Sequence, residues 1–309
     1  MNANSEVVLT EDMQMFDYWS QVYSPADRHI DSLRAAYDAF LQHYTLPRTE
    51  QMEVEDFDLK LSTHEVSMRV FNPAQPAPSQ GWKWIFYVHG GGNVVGGADS
   101  HEYIARQLSR DLNLKVFLVE YGLFPEFSWQ QGLTDCMEAY QQIRTDAAQW
   151  QIQADESVIA ADASGCSIAL SMQQQLAAQQ TDIKAMTLFF PTFTSEQTSV
   201  AVNSLVYQVE QQALVQQWFE PSALSVEDSR TVPALAQVSV QTFVAVAEAD
   251  DFKAATQALL DQLKQNNTPF ETVTAQGLRG SCLPLMRDCP ETAAVYEAAV
   301  NFISHQLNN

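Results

Sequence analysis

Five short, almost unbroken apolar runs constrain this chain more than any other feature: WKWIFYV at 82–88, LKVFLVEY at 114–121, SVIAA at 157–161, AMTLFF at 185–190 and QTFVAVAE at 241–248. Each is short for a helix and too uniformly apolar for a strand with one wet face. Each therefore reads as a strand buried on both sides. Such strands occur in parallel sheets whose crossover helices cover both faces. A helix-like stretch at 102–111 separates the first two runs, and ETAAVYEAAVNFISHQL at 291–307 forms an amphipathic C-terminal helix. The alternation predicts one α/β domain over 1–309 with a mostly parallel central sheet.

Upstream, residues 27–44 place Ile30, Leu33, Tyr37, Phe40 and Leu41 at helical spacing, and Pro47 closes the segment. Cap helices are expected over 1–46. VEDFDLKL and EVSMRVFNP alternate as an antiparallel hairpin does, and NPAQPAPSQG after them is a Pro-rich surface turn. Residues 192–222 are polar, mostly helical in pattern, and end in QQWFEPS. This cap insertion is expected to form a lid with the N-terminal helices.

Composition narrows the partners. Sixteen basic side chains against 38 acidic ones give a net charge of −22 in 309 residues. That field repels phosphate backbones and anionic lipid surfaces, so neither nucleic acid nor membrane is an expected partner. The N-terminus has no basic head followed by an apolar run, and nowhere are there the roughly 20 uninterrupted apolar residues of a membrane span. Cysteines 136, 166, 282 and 289 show no CxxC spacing and no disulfide framework. The expected location is the cytoplasm, with buried, inert thiols and with no metal or cofactor implied.

The chemistry concentrates in YVHGGGNVVGGADSHEYIARQL. A strand ends at Val88, and Gly90, Gly91 and Gly92 follow at once. Glycines there let backbone N–H groups point into a cavity, as an oxyanion receptor requires, although a tight turn or a phosphate loop uses the same residues. The GK[ST] ending of a P-loop and the GxGxxG spacing of a dinucleotide fold are both absent. The order of the later pieces is more specific: DSH at 99–101, VEYGLFPE at 119–126, ADASG at 161–165, AEADDF at 247–252 and GLRGS at 277–281. In this order they resemble the hormone-sensitive-lipase branch of the α/β-hydrolases, the bacterial esterase and plant carboxylesterase-like group. The resemblance runs from about residue 25 to 307 and implies an α/β-hydrolase fold.

Residue by residue, the resemblance also marks departures. It puts Ala163 at the nucleophile position of the G-x-S-x-G elbow and Gly280 where the family carries its histidine base. Asp250 matches the acid of the triad. Gly122 stands where the family has the arginine of YRLAPE, and Asn93 where it has an aromatic residue. The N–H groups of Gly91, Gly92 and Ser164 are the implied oxyanion donors, with the Ser164 side chain turned away. Without a nucleophile and base, the expected role is a non-hydrolytic small-molecule-binding or regulatory protein. The plant gibberellin receptors of the same family lack the histidine and bind a small carboxylate ligand under a lid. A small apolar or carboxylate-bearing ligand is accordingly expected, and the resemblance allows a homodimer. Two alternatives are an oxyanion-hole enzyme of another class (lyase, cyclase or isomerase) and a carboxylic-ester hydrolase with a displaced nucleophile such as Ser164 or Cys166.

Overall fold

The computed structural model describes residues 7–27, 29–45, 47, 53–192, 238–250 and 252–308. Eight strands form one sheet in the order β1-β2-β4-β3-β5-β6-β7-β8. They are β1 (Glu53–Lys60), β2 (Glu65–Asn72), β3 (Trp82–Val88), β4 (Lys115–Val119), β5 (Ile152–Asp162), β6 (Ala185–Phe189), β7 (Thr242–Ala247) and β8 (Phe270–Ala275). β1 and β2 are the expected hairpin, β2 also runs antiparallel to β4, and the remaining pairs are parallel. All five apolar runs are strands. β8, the edge strand FETVTA, is exposed at Glu271, Thr272 and Thr274, so it offers no apolar run to notice.

Period-two alternation sends neighbouring side chains of each buried strand into different cores. Ile85, Tyr87, Val116, Leu118, Val158 and Ala160 meet helices α1 (Glu11–Val22), α2 (Ile30–Gln42), α3 (Ala98–Leu112) and the C-terminal helix α8 (Pro290–Asn308). Trp84, Phe86, Phe117, Ile159 and Leu188 face the other way, onto α4 (Trp129–Thr145), α6 (Gly165–Ala178) and α7 (Lys253–Gln265); α5 (Ala147–Trp150) is a single turn. Two layers of helix around one sheet follow from the two-sided burial of the strands.

The N-terminal helices are present at α1 and α2, later and shorter than the 1–46 span expected for them. Thr10 caps α1 by accepting from Met13 N–H, and Phe16 packs edge-on against Phe40 of α2 with ring centroids 5.0 Å apart. The expected insertion at 192–222 lies outside the described residues except for Thr192. Among the described residues no helix is long and apolar enough to cross a membrane.

Candidate functional site

Register brings the motifs together. Val88 at the end of β3 lies beside Ala161 of β5, and Asp162 beside Phe189 of β6. The glycine loop after β3 and the turn after β5 therefore emerge side by side at the carboxyl ends of parallel strands, where open α/β sheets hold their ligands. Ala163 is the apex of the second turn. Its φ is +46°, a left-handed conformation that costs an L-residue about 1 kcal/mol. Neighbours hold it there: Ala163 N–H donates to Phe189 O at 2.9 Å, and Ala163 O accepts from Thr192 N–H at 3.2 Å. A strained strand-to-helix turn of this shape is the one that lifts a nucleophile above its sheet. Here a methyl group occupies the apex.

Gly165, opening α6, is fixed by close approach. A Cβ there would lie 2.5 Å from both Val88 O and His89 O. The contacts are with backbone, which cannot rotate aside. Gly165→Ala is expected to cost about 1–3 kcal/mol of stability, read as a lower urea midpoint. A midpoint like that of the parent would show that the two turns are not packed this tightly.

The glycine loop is folded back on itself. Gly91 has φ +110°, its carbonyl accepts from Val94 and Val95 N–H at 3.1 Å, and a Cβ there would sit 2.2 Å from Val95 O. Gly92 N–H points across to the elbow and already has an acceptor: Ser164 Oγ at 2.9 Å. The expectation that the Ser164 side chain turns away is therefore corrected. Its hydroxyl takes a place that a ligand oxygen would occupy. The sequence signal for this was a hydroxyl-bearing residue directly after the apex. Asn93, the next loop residue, adopts φ +60° and is buried.

On the opposite side, Gly280 begins a 3-10 turn (Gly280–Leu285) directly against Asp250. A Cβ at 280 would lie 2.5 Å from Asp250 Oδ2, so Gly280 and Asp250 are neighbours. Asp250 Oδ1 accepts from Phe252 N–H at 3.1 Å, and the side chain is 8% exposed. Cys282, one turn on, is fully buried, and burial pushes its thiol well above the usual range. Cys166 is also buried, its Sγ 3.9 Å from Phe189 O. Neither has the exposed, electropositive setting of a reactive thiolate. Among the described residues no group of three or more His, Cys, Asp and Glu side chains is placed to hold a metal ion.

Two histidines pack beneath the glycine loop. His101 lies within reach of a hydroxyl, Ser100 Oγ at 3.0 Å, with Asp162 Oδ2 at 3.4 Å from its other nitrogen. This has the outline of a Ser-His-Asp relay, yet Ser100 is sealed from solvent and its Oγ is occupied by Gly97 N–H and Gly97 O. It caps α3 and offers no nucleophile. Asp162 does structural work of its own: Oδ1 accepts from Tyr87 O–H at 2.8 Å and from Gly90 N–H at 3.1 Å. Burial alone would raise Asp162, but His101 and the Tyr87 hydroxyl outweigh it and hold the carboxyl below the usual range. His89 stacks on Tyr121 with centroids 4.3 Å apart, and its Nδ1 lies 2.7 Å from Gly90 O, which fixes the proton on that nitrogen. Burial, reinforced by His101, brings His89 down to about 3.

α2 clamps the loop from outside. Arg34 donates to Val94 O at 2.9 Å and to Phe124 O at 3.0 Å, and pairs with both oxygens of Glu126 at 3.0 and 2.7 Å. Helical spacing identified the buried stripe of α2 but not Arg34, which lies beside that stripe. Sequence reasoning also passed over Asp162, although it precedes Ala163 in ADASG.

Comparison with known proteins follows this geometry. A family model described as alpha/beta hydrolase fold matches residues 85–280. The chain is 27% identical over 235 residues to an ethyl acetate hydrolase of Pseudomonas putida, covering 72% of this chain and 73% of that protein. Among solved structures, an esterase from the archaeon Pyrobaculum calidifontis superposes with TM-score 0.83 at 16% identity, covering 97% of this chain and 99% of its own. A serine-to-alanine mutant of an alpha/beta hydrolase enzyme from the metagenome of Lake Arreo, Spain, gives 0.81 at 19% identity, covering 98% and 99%.

Proposed function

The chain belongs to the α/β-hydrolase family, and on that premise we propose that it binds a small acyl compound beside Ala163 without forming an acyl-enzyme there. The observation that carries this reading is the pairing of two positions. The strained apex holds a methyl group, and the residue facing Asp250 is a glycine. An acyl-serine mechanism needs an attacking oxygen, a base to take its proton and a carboxylate to orient that base. Only the carboxylate is in place. Gly92 N–H still points across to the elbow, where Ser164 Oγ accepts it, which supports a place that can receive an oxygen. The relative's name, ethyl acetate hydrolase, supports a short acyl or carboxylate-bearing guest.

Ser164 sets the affinity in this reading. Its Oγ must give up the Gly92 N–H at 2.9 Å before a guest oxygen can take it. Ser164→Ala removes the competitor, and one hydrogen bond is worth about 0.5–1.5 kcal/mol, so short carboxylates such as butyrate are expected to bind about 2–10-fold tighter. Calorimetry with butyrate and butyramide measures this; weaker or unchanged binding overturns the assignment. Function is tested with p-nitrophenyl butyrate. The expected result is a thermal shift without catalytic turnover, the ester beyond one equivalent per chain being recovered at its original mass. Turnover that disappears in Ser164→Ala would instead show Ser164 acting as a displaced nucleophile.

A further inference from the structure

The turn between β1 and β2 aligns a second hydroxyl and imidazole with a carboxylate of α4. Thr63 Oγ1 lies 2.8 Å from His64 Nδ1, and His64 Nε2 lies 3.3 Å from Asp135 Oδ2 on α4. The second contact is at ion-pair distance but is not aligned as a full hydrogen bond. It still assigns the tautomer. A buried carboxylate favours the proton on Nε2, leaving the Nδ1 lone pair toward the Thr63 hydroxyl. The carboxylate is 1% exposed and the imidazole 21%, while Thr63 lies on the surface. Exposure thus falls from nucleophile to orienting acid, as it does in hydrolytic triads.

Three further residues fix the arrangement. Phe127 stacks on the imidazole, with centroids 4.6 Å apart and planes at 16°. Gln131 Nε2 donates to Thr63 Oγ1 at 3.1 Å and to Asp135 Oδ1 at 2.8 Å. Gly122 N–H donates to Asp135 Oδ2 at 2.8 Å. Gly122 matters for what it lacks: a Cβ there would meet Phe127 at 2.8 Å and Asp135 Oδ2 at 3.0 Å. Any longer side chain at 122 would take the space in which Phe127 and His64 reach this carboxylate.

We propose that Thr63, His64 and Asp135 form an acyl-accepting site for small activated esters. Thr63 Oγ1 attacks the ester carbonyl carbon while His64 Nδ1 takes the hydroxyl proton. The carbon–oxygen bond to the leaving group then breaks, and the departing phenolate takes that proton from Nδ1. The products are acyl-Thr63 and a phenol, so no other reactant is needed. His64 is the general base, and Asp135 is a positioning residue that acts through it.

The experiment treats the full chain with p-nitrophenyl acetate and locates acetyl groups by peptide mass. Acetylation is expected at Thr63 and not at the neighbouring Ser62, whose hydroxyl is held by Glu138. His64→Gln is expected to slow labelling of Thr63 by about 100-fold, the lower range of general-base catalysis, whereas Thr63→Ser keeps it. Asp135→Asn is expected to lower the maximal rate of Thr63 labelling without changing the ester concentration at half-maximal rate, and Asp135→Glu is expected to restore part of that rate, as a positioning role requires. All variants lie on or beneath one turn, and unchanged melting curves establish that they fold. Labelling of Thr63 that is equally fast in His64→Gln, or absent in the parent, overturns the proposal. Binding beside Ala163 is separable, since Thr63→Val abolishes the labelling and leaves the butyrate affinity intact.

Discussion

The Ala163→Ser, Gly280→His double variant is expected to hydrolyse p-nitrophenyl butyrate about 10³-fold faster than the parent chain, with each single variant within a few-fold of the parent. Triad residues act as a unit, and removing one of the two central members costs almost as much as removing all. One restored member should therefore do almost nothing. The elbow needs no rebuilding: Ala163 already has φ +46° and backbone hydrogen bonds to Phe189 and Thr192 that hold it. The other side needs one adjustment. Asp250 Oδ2 occupies a point 2.5 Å from where the new Cβ would lie, so the carboxylate must rotate away before it can orient an imidazole. Adding Ser164→Ala frees the Gly92 N–H and should raise kcat further, since a missing oxyanion donor costs about 10²–10³. The comparison of kcat/KM across the set is the measurement. A folded double variant no faster than its parent would mean that positions 163 and 280 do not face one reacting centre.

What the sequence disclosed and what it hid have different physical origins. Two-sided burial leaves an unbroken apolar run, so β3 to β7 could be read directly, whereas β8 is half-exposed and its composition says little. The HGGG and ADASG segments were legible because backbone geometry demands small residues there, at Gly91 and Gly165 for instance. Side-chain direction was not legible. Whether Ser164 turns toward Gly92 or away depends on the turn's dihedrals, which the residue names do not specify. Arg34 and Asp135 were hidden for a third reason. Each acts on residues far along the chain, Arg34 on Val94 and Glu126, Asp135 on His64, and no local pattern records such a pairing. Gly122, read only as standing where the family has an arginine, is the position at which a Cβ would crowd Phe127 and Asp135 Oδ2.

Acid is expected to destabilise the fold through His89. A free histidine titrates near 6.5, while burial and His101 bring His89 to about 3 in the folded chain. Below 6.5 the unfolded chain therefore binds a proton that the folded chain refuses, and stability is lost as pH falls. The slope for one such group is about 1.4 kcal/mol per pH unit, or about 4–5 kcal/mol by pH 3. Asp38 acts in the opposite sense. Burial raises it to about 6 against the pull of Ser100 and His101, so between its ordinary 3.8 and 6 the folded chain holds the extra proton. Asp38 is partly open to water, which reduces its share, so it blunts the His89 slope without cancelling it. Asp162, held below the usual carboxylate range, adds its own loss only under about pH 4. Urea midpoints at about pH 7.5, 5.5 and 4 separate the contributions. Asp38→Asn should steepen the decline between 6 and 4, and His89→Asn, which can still donate to Gly90 O, should flatten it. An unchanged slope in His89→Asn would place the acid sensitivity elsewhere and leave the buried imidazole without the cost assigned to it.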